Sequence, residues 1–293
     1  MTEDVTNIDP KSSGYHTGSV ETVISVEAVI EQAEKLGNGV TPAELDGMIN
    51  GESFVSIESL NAGYGKMEIL HDFDLRIGKG QSLCLIGPNG AGKSTILHAI
   101  FGFNRIFSGN IFVGHGSSRR DVTNMSPNQK LRQAGIAYIL QDKSVFPDMT
   151  VEENLWMGGY LMDTKDQAKE SAERVFEKYD RLAKRRKKPA KILSGGERRL
   201  LEISRALVMD PEVLLVDEPS IGLEPRFIDM VFEILGDLQH NEGKTIIMVE
   251  QNAKKGLEFA DVGYVLVSGQ TAIAGKGDEL LENPEVGRLF LGG

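Results

Sequence analysis

The chain has 293 residues, 40% of them hydrophobic and 26% charged, with a formal net charge of −11. That composition is typical of a globular protein with one large domain or two smaller ones. The acidic balance excludes a surface built mainly for nucleic acid, which needs clustered Lys and Arg against phosphates. No apolar run is long enough to cross a membrane, and no basic-then-apolar leader is visible, so a cytosolic chain is expected.

Residues 1–52 carry ten acidic and two basic side chains, most of the negative excess. Residues 1–18 are polar and read as disordered. Val20, Val23, Ile24, Ile30 and Ala33 predict a helix that stops at Gly37-Asn38-Gly39. Thr41-Pro42-Ala43-Glu44 is a capping box with proline at the first helical position, predicting a short helix to about Ile49. This acidic extension, partly helical or disordered, holds no catalytic signature.

The pattern changes at Ser53. Strands are predicted over 53–60, 69–77 and 108–113, forming an antiparallel layer. Residues 81–86 (Q-S-L-C-L-I) read as a buried strand in which Cys84 is a small core residue. As the only cysteine it rules out an intrachain disulfide and fits a reducing compartment. Residues 87–94 read G-P-N-G-A-G-K-S, and a helix follows over 94–101. Strand, glycine loop and helix are the setting in which backbone amides cradle phosphates. Gly87, Pro88, Asn89, Gly90, Ala91, Gly92 and Thr95 belong to that cradle. Lys93 adds charge for the outer phosphates, and the Ser94 hydroxyl can ligate Mg²⁺.

A core strand is predicted over 135–140. Residues 151–208 read as a helical insert: one helix over 151–162, another capped by Thr164 and running to about Tyr179, and a third after Gly196. Strands return at 213–216 and 245–249, so strands and helices alternate around one phosphate loop in a parallel α/β core. The strand V-L-L-V ends in Asp217 and Glu218. Asp217 is placed to hold Mg²⁺, and Glu218 to orient or deprotonate the attacking water. Upstream, Leu193-Ser194-Gly195-Gly196-Glu197 opens a helix, and Ser194, Gly195 and Gly196 form a second anion-binding N-terminus.

Phosphate loop, L-S-G-G-E and strand-end carboxylates together resemble the ATP-binding cassette (ABC) family over residues 53–293. The resemblance implies a P-loop ATPase core with an antiparallel β subdomain and an inserted helical subdomain at about 151–208. It implies that Tyr64, in N-A-G-Y-G, stacks on adenine, that Gln141 contacts Mg²⁺, and that residues 220–225 cross a dimer interface. Ser194 and its glycines then reach the γ-phosphate bound to an opposite ATPase subunit, and two ATP molecules are sandwiched by a homo- or heterodimer.

Two positions depart from the family pattern. Glu197 stands where glutamine is usual, and Gln251 where most members carry histidine. Gln251 can donate a hydrogen bond to a γ-phosphate but cannot carry a proton. V-E-Q-N at 249–252 and the ending N-P-E-V-G-R-L-F-L-G-G resemble the LivF-type subunits of branched-chain amino acid importers. That implies two transmembrane permease subunits, a periplasmic solute-binding protein, and a place on the inner face of the cytoplasmic membrane. Urea or short-amide import, or a cassette ATPase without a membrane partner, are the alternatives. Val145, Phe146, Met149, Leu155, Trp156, Met157 and Met162 read either as core or as a docking site for the membrane subunit. The basic run 181–188 reads as a solvated helix end or a contact for anionic lipid.

Overall fold

The structure, a computed structural model, describes residues 41–141 and 144–291. The segment 1–40, with the helix expected at 20–33, lies outside the described residues. The first element is helix α1 (Pro42–Asp46), with Thr41 as its N-cap and the predicted capping box in place. It stops before Ile49, at a C-cap on Gly47. Leu45 is only 1% exposed, and Met48 packs against the same core, so this end of the acidic segment is seated on the body of the protein.

Two sheets follow. The first is antiparallel, built from β1 (Ser53–Tyr64), β2 (Met67–Gly78), β4 (Arg105–Val113) and β5 (Arg120–Asp121), in the order β2-β1-β4-β5. The second contains β3 (Ser82–Ile86), β6 (Ile136–Ile139), β7 (Val213–Asp217), β8 (Thr245–Val249), β9 (Val262–Val267) and β10 (Gln270–Lys276). Its order is β10-β9-β3-β8-β7-β6, parallel throughout except for β10 at the edge. β3, β7 and β8 are buried at every residue, as strands covered on both faces must be. Their near-continuous aliphatic runs are the sequence trace of that burial. Cys84 lies in β3, fully buried and unpaired; burial is the main cause that pushes its thiol well above the ordinary range.

Helix α2 (Lys93–Phe101) leaves the tip of β3, and α3 (Pro127–Ala134) leads into β6. Between β6 and β7 lie α4 (Val151–Gly158), α5 (Lys165–Lys178), α6 (Asp180–Ala183) and α7 (Gly195–Leu207). These four share a separate apolar cluster around Leu155, Phe176, Leu182 and Leu201, the physical basis of an inserted helical unit. α4 ends at Gly158, short of the expected Met162. A Cβ on Gly158 would lie 2.3 Å from the Arg205 carbonyl oxygen, so close packing on α7 requires glycine there. The chain closes with α8 (Pro225–His240), α9 (Ala253–Phe259) and α10 (Gly277–Glu282) before its last short turns.

Candidate functional site

In a parallel sheet the loops that leave the carboxyl ends of the strands meet along one edge. Here that edge collects the phosphate loop after β3, Gln141 after β6, Asp217 and Glu218 at the end of β7, and Gln251 after β8. β3 and β7 flank β8, which holds the glycine loop and the two carboxylates one strand apart.

The loop is shaped by glycine where no side chain fits. Gly87 has φ +143°, and a Cβ on it would sit 2.2 Å from the Leu266 carbonyl oxygen. Gly92, at φ +98°, is the left-handed N-cap of α2, so the first amides of that helix open into the cleft. The cleft is about 260 Å³, lined by Asn89, Gly90, Gly92, Lys93, Ser94 and Thr95 of the loop, with Ile69 and Glu218. Lys93 Nζ donates to the carbonyl oxygens of Gly87 (2.8 Å) and Pro88 (3.0 Å). Burial lowers its pKa, while the Glu218 and Asp217 carboxylates oppose that shift.

Ser94 Oγ donates to Asp217 Oδ1 at 3.2 Å. Glu218 adopts a left-handed backbone, φ +43°, and its N–H donates to the Val249 carbonyl oxygen at 2.9 Å. This ties the strained residue to the neighbouring strand. Gln141 Nε2 donates to Glu218 Oε2 at 2.9 Å. Burial, then the adjacent Asp217 carboxylate, raise the Glu218 pKa above the ordinary carboxylate value, while the Lys93 charge opposes the shift.

Tyr64, at the end of β1, is 41% exposed, and its hydroxyl pairs with His98 Nδ1 on α2. Burial lowers the His98 pKa, against the opposing pull of the Asp217 carboxylate. Gln251 is exposed in the bend after β8 and is not among the residues lining the cleft. Nor are Ser194, Gly195 and Gly196. Ser194 caps α7: its Oγ accepts from the Glu197 N–H, while Glu197 Oε2 accepts from the Ser194 N–H at 2.9 Å. Glu197 Oε1 also accepts from Arg185 Nε at 3.3 Å. The Glu197 departure thus has a local account, since a carboxylate caps a helix N-terminus as well as an amide and suits its dipole. Ser194 and Gly195 are exposed, whereas Gly196 is packed so tightly on Phe227 that a Cβ would fall 2.2 Å from its ring.

Three neighbours of the site are not legible as site residues in the sequence. Tyr138 Oη donates to Asp217 Oδ2 at 2.8 Å; burial and that carboxylate hold its phenol well above the usual value. Its one signal is an aromatic hydroxyl in an aliphatic strand, which needs a partner. Arg199, buried on α7, donates to the Leu140 carbonyl oxygen and to Glu202 Oε2, both at 2.8 Å, and to the Asp217 carbonyl oxygen at 3.4 Å. A charged residue on the apolar face of an amphipathic helix, with Glu three positions on, is the trace it leaves. Glu250 accepts from Ser220 Oγ at 2.7 Å and from the Asn252 N–H at 2.9 Å, joining the 220–225 loop to the bend that holds Gln251.

The apolar crowd at the start of the insert divides. Leu155 is core, and Val145, Trp156 and Met162 pack beside it. Phe146 and Met157 are exposed and line a groove of about 340 Å³ with Tyr160, which is 76% exposed. In the basic run, Lys184 pairs with Asp180, Arg185 with Glu197, Arg186 with Glu152 and Glu173, and Lys187 with Glu152. Internal carboxylates thus account for four of its six cations. Among the described residues, no helix is long and apolar enough to cross a membrane.

A family model described as ABC transporter matches residues 70–221. The chain belongs to the ABC transporter family. It is an ATP-binding, ATP-hydrolysing subunit of that family, built on the ABC ATPase fold. It is 39% identical to a probable branched-chain amino acid transport ATP-binding protein, LivF, of Archaeoglobus fulgidus, over 80% of this chain and 96% of that one. It is 40% identical to a high-affinity branched-chain amino acid transport ATP-binding protein, BraG, of Pseudomonas aeruginosa, over 82% and 100%. A lipopolysaccharide export ATP-binding protein, LptB, of Haemophilus influenzae is 30% identical, over 82% and 98%. A nucleotide-free ATP-binding cassette of an ABC transporter superposes with a TM-score of 0.71 at 27% identity, covering 83% of this chain and all of that one. The ADP form of an ABC transporter cassette gives the same values.

Proposed function

We propose that the chain powers uptake of branched-chain amino acids as one of a pair of cassette ATPases beneath two permease subunits, with a solute-binding protein delivering the substrate. The relatives named for branched-chain amino acids, at 39% and 40% identity, support this reading over lipopolysaccharide export at 30%. The acidic segment to residue 52 is then an addition to a cassette spanning 53–293, joined to it through Leu45. Phe146, Met157 and Tyr160 offer the exposed apolar groove on which a permease segment would seat.

The observation that carries the chemistry is the pairing of Ser94 with Asp217 beside Glu218. A hydroxyl, a carboxylate and the Gln141 amide are hard oxygen donors of the kind Mg²⁺ takes alongside nucleotide phosphates. Among the described residues no cluster of three or more His, Cys, Asp or Glu forms a metal cage. One carboxylate plus substrate phosphates is enough for Mg²⁺. Bound there by Ser94, Gln141 and Asp217, Mg²⁺ would neutralise charge developing on the β- and γ-phosphates. The backbone N–H groups of Gly87 and of residues 89–95, with the Lys93 ammonium, hold the triphosphate, and Tyr64 stacks on adenine. Glu218 takes a proton from the water that attacks the γ-phosphorus; the bond to the β-phosphate oxygen breaks, leaving ADP and phosphate. Gln251 donates to the γ-phosphate. Ser194, Gly195 and Gly196 face the nucleotide of the opposite subunit.

Glu218→Gln tests the assignment. It should bind ATP as the wild type does and lose at least a hundredfold in turnover, the usual worth of a general base. Turnover within about threefold of wild type would remove Glu218 from that role.

A further inference from the structure

The Asp217 carboxylate is held at both oxygens, by Ser94 Oγ on Oδ1 at 3.2 Å and by Tyr138 Oη on Oδ2 at 2.8 Å. The phosphate-loop pattern accounts for the first contact and is silent on the second. The sheet register explains how Tyr138 reaches. It stands opposite Leu215 in the parallel β6–β7 pair, two residues before Asp217 and on the same face. A long side chain from that position extends along the strand to the carboxylate at its tip. The ring is set among aromatic neighbours, its centroid 5.5 Å from that of Phe101, 5.6 Å from Phe103 and 5.8 Å from His98. Packed in this way, the ring directs its hydroxyl at one oxygen and leaves the other on the Ser94 side, where the nucleotide cleft opens.

We propose that Tyr138 is a positioning residue that aims the Asp217 carboxylate at the nucleotide-bound divalent cation. This rests on the assignment of Asp217 to Mg²⁺ made above. With one oxygen engaged by the tyrosine hydroxyl, the carboxylate presents its remaining lone pairs in a fixed direction. Without the hydroxyl, Asp217 is held by Ser94 alone and must be ordered further by the cation itself, which weakens cation binding and leaves nucleotide binding alone.

The test uses the full chain, Tyr138→Phe, and a fluorescent ATP analogue. Affinity is measured in EDTA and then across a Mg²⁺ titration. Affinity in EDTA should stay within about twofold of wild type, while the Mg²⁺ half-saturation rises on the order of fivefold. The same shift is expected with Mn²⁺, read by its paramagnetic signal. A Mg²⁺ half-saturation within twofold of wild type overturns the proposal. So does an equal loss of affinity in EDTA, which would mark Tyr138 as packing only. Asp217→Asn separates the two levels. If it shifts the Mg²⁺ titration and Tyr138→Phe does not, only the Tyr138 proposal falls; if neither does, the Asp217 assignment falls with it. Should Tyr138→Phe fail to fold, Tyr138→Met removes the same hydroxyl and is read by the same criteria.

Discussion

Tyr64 is exposed, yet its hydroxyl is paired with His98, which stands in the second turn of the helix that begins at Lys93. If Tyr64 stacks on adenine as proposed, the ring gains from being held before the base arrives, because less freedom is lost on binding. His98→Phe keeps a ring of similar size and removes the bond. It should weaken ATP binding about fivefold, the worth of one neutral hydrogen bond, with kcat within twofold of wild type. Titration with a fluorescent nucleotide measures the first and steady-state hydrolysis the second; an unchanged affinity would sink the idea. Most of the cleft is legible in the sequence, since a phosphate loop needs glycine and lysine at fixed spacing. Tyr138, Arg199 and Glu250 are not, because each acts through a partner distant in sequence. Tyr138 meets Asp217 across 79 residues and Arg199 meets Leu140 across 59.

At the scale of elements, the strands are readable because burial on both faces imposes near-continuous apolar runs on β3, β7 and β8. Helix ends are less so. α4 stops where Gly158 meets the Arg205 carbonyl, a contact between helices that leaves only a glycine as its trace. The C-terminus of α2 depends on another long-range partner. Lys130 of α3 is fully buried and its Nζ donates to the Ala99 carbonyl oxygen at 3.1 Å. Burial pushes its pKa down to about 8. An unfolded lysine titrates near 10.4, so between about pH 8 and that value the unfolded chain binds more protons and folding gains stability as pH rises. Lys130→Met lacks this gain. Its thermal midpoint relative to wild type should therefore fall by a few degrees between pH 7 and pH 10. A difference in midpoint that does not change with pH would refute the buried charge.

Across the whole molecule, the two helix starts proposed to bind phosphate point to different places. The amides at the head of α2 open into the chain's own cleft, whereas Ser194 and Gly195 at the head of α7 are exposed and absent from it. If each cleft is completed by another subunit's α7, Ser194→Arg should leave ATP affinity within twofold of wild type. Hydrolysis by the assembled transporter should drop more than tenfold, because the added cation and bulk block the opposite nucleotide. Hydrolysis near the wild-type rate would show that the cleft works alone. Cys84 offers a practical route to watching such pairing. It is the one thiol in the sequence, sealed inside β3 and held in its unreactive form. The native chain should therefore stay unlabelled by maleimide dyes and spin labels, which a mass-spectrometric labelling control checks. A single cysteine introduced at Tyr160 or Ile221 would be its only reactive handle, ready for distance measurements without any engineering of the background.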